Sequence, residues 1–281
     1  NSLKGAKQTE ILLQYFQLNA SEKKPISVKQ LTESAKASIT VVKSLIEKNI
    51  FEEYYIQEDR VNFQGKTKED ALQLSEIQQH AFDEIQQQFL SKDVCLLHGV
   101  TSSGKTEIYI QLIESYLKQE KQVLYLLPEI ALTTQLVERL RSYFGNKVAV
   151  YHSKYSNNER VEVWRQVQEV SEKAQIVIGA RSALFLPFSN LGFIIVDEEH
   201  EQTFKQQDPS PRYHARDAVI VLASYFHSKM LLGSATPSIE TYFNSQNKKF
   251  GLVEITERYG KVQLPEMALV DLKDKYFRKQ M

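Results

Sequence analysis

The residues with the clearest chemical potential form a run at positions 99 to 106, Gly-Val-Thr-Ser-Ser-Gly-Lys-Thr. An apolar segment, Val94 to His98, precedes the run, and an amphipathic segment, Glu107 to Leu117, follows it. A strand, a glycine loop and a helix in this order bind phosphate, because the loop amides and the helix N-terminus point at the anion. The run therefore predicts a nucleotide-binding loop.

Single positions of this loop have distinct expected roles. Lys105 would reach the β- and γ-phosphates of ATP, and the Thr106 hydroxyl would bind Mg²⁺. A chance glycine loop is the alternative, and a match of eight residues in the right context argues against it. The remaining positions expected to contact the nucleotide are Gly99, Thr101, Ser102, Ser103 and Gly104.

A second polar run, Asp197-Glu198-Glu199-His200, follows the apolar segment Phe193 to Val196. A strand would deliver these side chains to the sheet edge above the phosphates. Asp197 is expected to hold Mg²⁺, and Glu198 to polarise the attacking water as a general base. By itself the run is equally compatible with a solvated acidic loop. Together with the loop at 99 to 106 it predicts nucleotide hydrolysis, with Lys105, Asp197 and Glu198 as catalytic residues.

Composition limits the class of protein. The 281 residues are 42% hydrophobic and 25% charged, which is typical of a soluble globular chain of about two domains. The apolar runs are far shorter than a membrane span requires, so no membrane partner is expected. The single cysteine, Cys95, excludes an internal disulfide and a cysteine-based zinc module, and it fits a reducing cytoplasm. The 35 basic and 35 acidic residues balance, so net charge indicates no partner.

Residues 1 to 66 have the pattern of a small DNA-binding domain. Three helices are predicted over 9 to 18, 27 to 35 and 38 to 49, with apolar faces that include Phe16 and Ile39, and a hairpin over 51 to 63. Three helices followed by a hairpin are typical of a winged helix, which binds DNA or protein about equally often. The first 50 residues hold eight lysines and four glutamates, a mild basic bias. Lys29, Lys36 and Lys43 are the predicted contacts to duplex or fork DNA.

Residues 67 to 281 alternate short apolar runs with amphipathic segments. This alternation predicts an α/β fold with a mostly parallel sheet. The predicted strands are 94 to 98, 123 to 127, 148 to 151, 175 to 178, 193 to 197 and 230 to 233.

Six motifs resemble those of the superfamily 2 DNA helicases. They are residues 74 to 78 (LSEIQ), the loop at 99 to 106, residues 127 to 133 (LPEIALT), residues 179 to 185 (GARSALF), the DEEH run at 197 to 200, and residues 233 to 238 (GSATPS). Within that superfamily, the LPEIALT, GARSALF and KQQ...RYHARD strings are similar to the primosomal replication-restart helicases. The resemblance spans nearly the whole chain. It implies a RecA-like P-loop lobe over 67 to 281, preceded by the winged-helix domain.

The resemblance also implies roles for single residues. Gln78 would occupy the position of an adenine-reading glutamine, with the adjacent Gln79 as the alternative. Thr133 and Arg181 lie in segments similar to single-strand contacts, where they would hold phosphates without reading bases. For Arg181 a surface ion pair is the alternative. Ser234 and Thr236 resemble the motif that couples hydrolysis to strand contacts.

Residues 202 to 216, here called the aromatic-rich loop, are similar to the loop by which these helicases sense single-stranded DNA. Aromatic rings would stack on bases, and basic side chains would neutralise phosphates. The alternative, that Phe204 and Tyr213 pack the loop onto the sheet, stays open. The DNA-contact candidates in this loop are Phe204, Lys205, Arg212, Tyr213, His214 and Arg216.

The implied activity is that of an ATP-dependent 3′ to 5′ DNA helicase that remodels stalled forks and promotes primosome assembly. Single-strand binding protein and primosome loading proteins are the implied partners. A nucleotide-gated DNA-binding module and a recombination-type translocase are alternatives. Because the family's second lobe and zinc module find no match here, the chain is expected to be a fragment, with zinc only in the absent part. Such a fragment would bind nucleotide weakly and hydrolyse it negligibly.

Overall fold

The computed structural model describes residues 6–22, 26, 28–48, 50–51, 72–129, 131, 134–151 and 155–261. The chain divides into two compact units, residues 1–58 and 59–281. The predicted boundary at 66, nearly all of the predicted hairpin and Thr133 lie outside the described residues.

Unit 1 contains the three predicted helices, α1 (Ala6–Glu22), α2 (Val28–Ser34) and α3 (Ile39–Glu47). They pack around one small core. The expected burial of Phe16 and Ile39 is wrong, since these side chains are 64% and 55% exposed. Each helix of so small a unit buries only a narrow stripe, so part of every predicted apolar face lies outside the contact. The buried core residues are Ile11, Leu31, Ala35, Val42 and Leu45.

Unit 2 contains a parallel sheet of seven strands in the order β3-β4-β2-β5-β6-β1-β7, counted over the described residues. The predicted parallel α/β fold is confirmed, and six strands lie within two residues of their predicted bounds. The seventh strand was not predicted. The strands are β1 (Val94–Gly99), β2 (Gln122–Leu126), β3 (Val148–Tyr151), β4 (Ile176–Gly179), β5 (Leu191–Asp197), β6 (Lys229–Ser234) and β7 (Gly251–Ile255).

Helices cover both faces of this sheet. Side chains alternate along each strand, so Leu96 of β1 joins one core with α7 and α8, while Cys95 and Leu97 join the other with α4 and α5. Burial raises the pKa of the Cys95 thiol to about 12, which makes it an inert core residue. The helices are α4 (Glu76–Phe89), α5 (Lys105–Leu117), α6 (Thr134–Phe144), α7 (Asn157–Gln168), α8 (Ala215–Phe226) and α9 (Ile239–Gln246).

The strand order determines what meets at the carboxyl edge of the sheet. β6 lies between β5 and β1, with Asp197 paired to Gly233 and His98 paired to Ser234. The loop after β1, the acidic run after β5 and the GSATPS segment after β6 therefore leave the same edge side by side. Across the described parts of both units, no helix is long and apolar enough to cross a membrane.

Candidate nucleotide-binding site

The glycine loop is held in a shape that requires a glycine. Gly104 is the N-cap of α5 with φ at 81°, and a Cβ at this position would overlap Nε2 of Gln78. Ser102 also has a positive φ of 64°, a costly conformation that in structured loops marks functional sites. The loop therefore turns tightly into the N-terminus of α5, where the orphan amides and the helix dipole favour an anion.

Lys105 begins α5 and is buried. Its Nζ donates a hydrogen bond of 2.8 Å to the carbonyl oxygen of Gly99, which orients the ammonium group along the loop. The loop opens onto a cleft of about 420 Å³. The cleft is lined by Thr101, Ser102, Ser103, Gly104, Lys105, Thr106, Glu107, Arg139, Asp197, Glu198 and Tyr259. Apart from Gly99 and Gln78, the structure thus brings together the residues predicted to bind nucleotide and to act on it.

Two buried tyrosines fix the carboxylate of Asp197. The Tyr109 hydroxyl donates to Oδ1 at 2.9 Å, and the Tyr125 hydroxyl donates to Oδ2 at 3.2 Å. Tyr109 reaches Asp197 because Gly233 has no side chain in the way. Burial, and secondly the charge of Glu198, raise the pKa of Asp197 above its ordinary value. The carboxylate is thus oriented by its partners, as ligating carboxylates in metal sites generally are.

Glu198 begins a chain of contacts that leads to the GSATPS segment. Its backbone has a positive φ of 50°, and its Oε2 lies 3.7 Å from Nδ1 of His200. The same His200 nitrogen contacts the Ser234 hydroxyl at 2.8 Å, and its Nε2 contacts the Thr236 hydroxyl at 3.3 Å. The predicted general base and both predicted coupling residues are therefore linked through His200.

Glu199 is fully buried and lies at the centre of a polar network. Its Oε1 accepts a bond of 2.6 Å from the backbone amide of Ser238, the N-cap residue of α9. Its Oε2 accepts from Arg216 at 3.0 Å and from the Thr241 hydroxyl at 2.8 Å. Arg216 also bonds Asp217 through Nε at 2.9 Å. One carboxylate thus ties the acidic run to the first turns of α8 and α9.

The structure places Gln78 beneath the glycine loop, and its expected contact with adenine stays a prediction. This side chain is 1% exposed and does not line the cleft. Its Oε1 accepts from the Ser75 amide at 2.9 Å in a capping box, and its Nε2 donates to the Gly104 carbonyl at 3.2 Å. Gln78 therefore caps α4 through Oε1 and supports the glycine loop through Nε2.

Two of the predicted DNA contacts are corrected. Phe204 is 1% exposed and lies in the core beside β5, so its ring cannot stack on a base. Arg216 is buried and paired with Glu199 and Asp217, which leaves its guanidinium unavailable to a phosphate. For Phe204 the packing alternative is correct, because a short loop over a sheet needs at least one apolar anchor.

Other candidates in the aromatic-rich loop remain on the surface. Lys205 and Arg212 are exposed. Tyr213 is partly buried, and its ring meets that of Phe185 edge-on with centroids 5.1 Å apart. Phe185 is 61% exposed and ends the GARSALF motif, which did not by itself indicate a DNA contact at this position. This pair offers a surface on which bases could stack.

Arg181 holds the aromatic-rich loop in place. Its Nη1 donates to the carbonyl oxygens of Thr203 at 3.3 Å and Lys205 at 3.2 Å. His214 is partly buried, and burial, followed by the charge of Arg216, lowers its pKa. A second cleft, of about 320 Å³, lies where this loop meets the LPEIALT and GARSALF motifs. Its lining residues are Leu127, Pro128, Glu129, Ala180, Arg181, Gln202, Thr203, Phe204, Lys205 and Gln207.

Several site residues had no signal in the sequence. Tyr109 and Tyr125 lie on apolar faces of a helix and a strand, where a tyrosine is ordinarily a core residue. Arg139 lies on α6, outside every motif, and only the fold brings it to the cleft. The described residues contain no cluster of three or more His, Cys, Asp or Glu side chains placed to hold a metal ion without substrate oxygens.

Residues 75–244 match the family model described as DEAD/DEAH box helicase. The chain belongs to this helicase family, which implies that it uses nucleotide. Residues 2–58 match the model of a winged helix domain of the PriA helicase in Bacteroidota. The predicted winged helix and helicase lobe are confirmed by these matches.

Individual relatives place the likeness within a narrower group than the helicase family, the replication restart proteins. The chain is 40% identical over 277 residues to the replication restart protein PriA of Bacillus subtilis, which is 97% of this chain and 34% of that protein. It is 44% identical over 245 residues to the replication restart protein PriA of Haemophilus influenzae, covering 84% of this chain and 33% of that protein. The resemblance to replication-restart helicases is confirmed, and the chain spans about one third of the length of these relatives.

A solved structure of RecG bound to a three-way DNA junction is also similar, with a TM-score of 0.48 and 18% identity. The match covers 98% of this chain and 34% of that chain.

Proposed function

We propose that the chain provides the nucleotide-binding lobe and a DNA-binding unit of an ATP-dependent 3′ to 5′ DNA helicase of replication restart. The observation that carries this proposal is that Lys105, Asp197 and Glu198 line one cleft together. Likeness to the replication restart proteins supports the biological role. Because those relatives are about three times longer, the activity of the whole protein is part of the proposal.

The cleft assigns a task to each group. The loop amides and Lys105 would bind the phosphates of ATP. The Thr106 hydroxyl and the Asp197 carboxylate are oxygen donors, which Mg²⁺ prefers, and the ion would neutralise charge on the β- and γ-phosphates. Glu198 would orient and polarise the attacking water. Tyr109 and Tyr125 would keep Asp197 in position without contacting substrate.

The contacts beyond the cleft supply a route for coupling hydrolysis to DNA. His200 joins Glu198 to Ser234 and Thr236, and Glu199 joins the acidic run to Arg216 at the end of the aromatic-rich loop. Through these contacts a change at the cleft would reach both the GSATPS segment and the aromatic-rich loop.

The DNA contacts in the lobe would be Lys205, Arg212 and Tyr213, joined by Phe185 and by Thr133. Exposed lysines of unit 1 would contact forks. Single-strand binding protein and primosome loading proteins complete the proposal as partners, in the cytoplasm.

A chimera tests this function. In this chimera, the chain replaces the segment of the Bacillus subtilis relative that it matches over 277 residues. We expect this chimera to hydrolyse ATP only when single-stranded DNA is present, and to separate strands. A chimera that folds and binds both ligands without hydrolysis would contradict the helicase proposal and favour a nucleotide-gated DNA-binding module.

The raised pKa of Asp197 predicts a pH dependence of metal-assisted binding. As the pH falls, Asp197 takes up a proton at a higher pH than an ordinary carboxyl, so its charge for Mg²⁺ is lost earlier; raising the pH restores it. We expect the gain in ADP affinity that Mg²⁺ provides to decrease on acidification, measured by calorimetry between about pH 8 and pH 5. In Asp197→Asn, Mg²⁺ should raise ADP affinity only slightly, and the pH dependence of that small gain should follow the titration of the nucleotide's phosphates alone. Equal pH profiles for both proteins would contradict the assignment.

The lysines of unit 1 predict a salt-dependent interaction with DNA. Lys29, Lys36 and Lys43 are exposed, the first on α2, the second after it and the third on α3. Replacing all three with glutamate should weaken fork binding at every DNA sequence and lower the slope of log affinity against log salt by roughly 2 to 3. Fluorescence anisotropy at several salt concentrations measures both quantities. Unchanged fork binding would exclude these lysines as phosphate contacts.

A further inference from the structure

The cleft contains a second cation besides Lys105. Among the residues that line it, Lys105 and Arg139 are the cations, and Glu107, Asp197 and Glu198 are the carboxylates. The lining therefore has an excess of one negative charge before any phosphate arrives. A triphosphate adds further negative charge, so each cation that can reach it has a large effect on its affinity.

Arg139 is placed at the metal end of the cleft. Its Nη2 contacts Oε1 of Glu107, which follows Thr106 in the first turn of α5. Arg139 also lines the same cleft as Asp197. Its partner Glu107 thus lies next in the chain to Thr106, one of the groups assigned to Mg²⁺, where the terminal phosphate would be.

The present partner of Arg139 is easily exchanged. The Arg139 side chain is 43% exposed and that of Glu107 is 21% exposed, and a partly exposed ion pair of this kind contributes little to stability. A phosphate offers the planar guanidinium two hydrogen bonds and more charge than a carboxylate. If Arg139 leaves Glu107, the Glu107 carboxylate is still stabilised by the helix dipole, because it lies in the first turn of α5.

We propose that Arg139 binds the terminal phosphate of a nucleoside triphosphate, exchanging Glu107 for it, and so allows the lobe to distinguish triphosphate from diphosphate. This inference rests on the proposed nucleotide site. It adds a binding residue from α6 that no motif contains.

Paired affinities for ADP and for the non-hydrolysable analogue AMPPNP, both with Mg²⁺, test this inference by calorimetry. Arg139→Gln should weaken AMPPNP binding about tenfold or more and change ADP binding less than about twofold, because only the triphosphate has the group that Arg139 contacts. Arg139→Lys should give an intermediate loss. The control is Arg141→Gln on the same helix, since Arg141 bonds Tyr155 and does not line the cleft.

The Glu107→Gln variant separates binding from a structural role. It releases Arg139 and removes a negative charge, so AMPPNP affinity should stay equal or rise. If Arg139→Gln and Glu107→Gln weaken AMPPNP alike, or if Arg139→Gln weakens ADP as much as AMPPNP, the pair is structural and the inference is wrong. If the unmodified chain binds neither nucleotide, the proposed function fails, and this inference fails with it.

Discussion

Replacing Glu199 with alanine should lower the free energy of unfolding of the lobe by about 3 to 5 kcal/mol. Glu199 is fully buried and accepts bonds from Arg216, Thr241 and the Ser238 amide. Its removal leaves the buried guanidinium of Arg216 with the exposed Asp217 as its carboxylate partner. It also leaves the backbone amide of Ser238, the N-cap residue of α9, without its acceptor. An uncompensated buried charge costs far more than an exposed pair contributes.

Urea unfolding followed by Trp164 fluorescence measures this effect. Trp164 is the single tryptophan of the chain and lies on α7, so its signal reports on the lobe and not on the three-helix unit. The matched control is Asp217→Asn, which removes the charge of the exposed carboxylate that pairs with Arg216. It should lower the free energy of unfolding by about 0 to 1 kcal/mol. Glu199→Gln, which keeps the shape, should fall between the two. Equal losses for Glu199→Ala and Asp217→Asn would show that the network does not stabilise the lobe.

Replacing Lys105 with alanine should weaken nucleotide binding by about 100-fold or more. The ammonium group would make charge-assisted hydrogen bonds to two phosphates, each contributing about 1.5 to 3 kcal/mol. Within the described residues its side chain donates one hydrogen bond, to the Gly99 carbonyl, and otherwise acts on Asp197 through its charge, so the fold should lose little. Calorimetry with ADP and with AMPPNP gives the affinities, and Trp164 unfolding gives the stability.

The control for Lys105 lies at the other end of the same helix. Lys118 follows α5 and pairs with Glu114 on the surface, and Lys118→Ala should leave both affinities unchanged. A Lys105→Ala protein that is as stable as the unmodified chain and still binds ADP normally would place the phosphates outside the loop.

The sequence predicted those features of the fold and site that depend on local pattern. The glycine loop and the acidic run each follow an apolar run, and parallel strands bring the two to one sheet edge whatever the details of packing. Six strands were predicted for the same reason. β7 was missed because Gly251–Ile255 is short and lies at the sheet edge, with an exposed Glu254 that interrupts its apolar pattern.

The residues whose roles could not be predicted are those whose environment depends on the packing of distant elements. Phe204 and Arg216 have the chemical types of DNA contacts, yet one anchors its loop and the other pairs with a buried carboxylate. Gln78 also supports the glycine loop through its bond to the Gly104 carbonyl, a contact between distant residues that no local pattern shows. Arg139 reaches the cleft from a helix whose sequence contains no motif, since contacts between distant elements leave no local pattern.

A structure of the chain with Mg²⁺ and AMPPNP is the most direct test of the central claim, that one cleft holds the triphosphate between the glycine loop and the acidic run. We expect the phosphates against the amides of residues 101 to 106, with the terminal phosphate near Lys105, Asp197 and Glu198. A nucleotide bound elsewhere, or a glycine loop that stays without phosphate at saturating concentration, would contradict that claim.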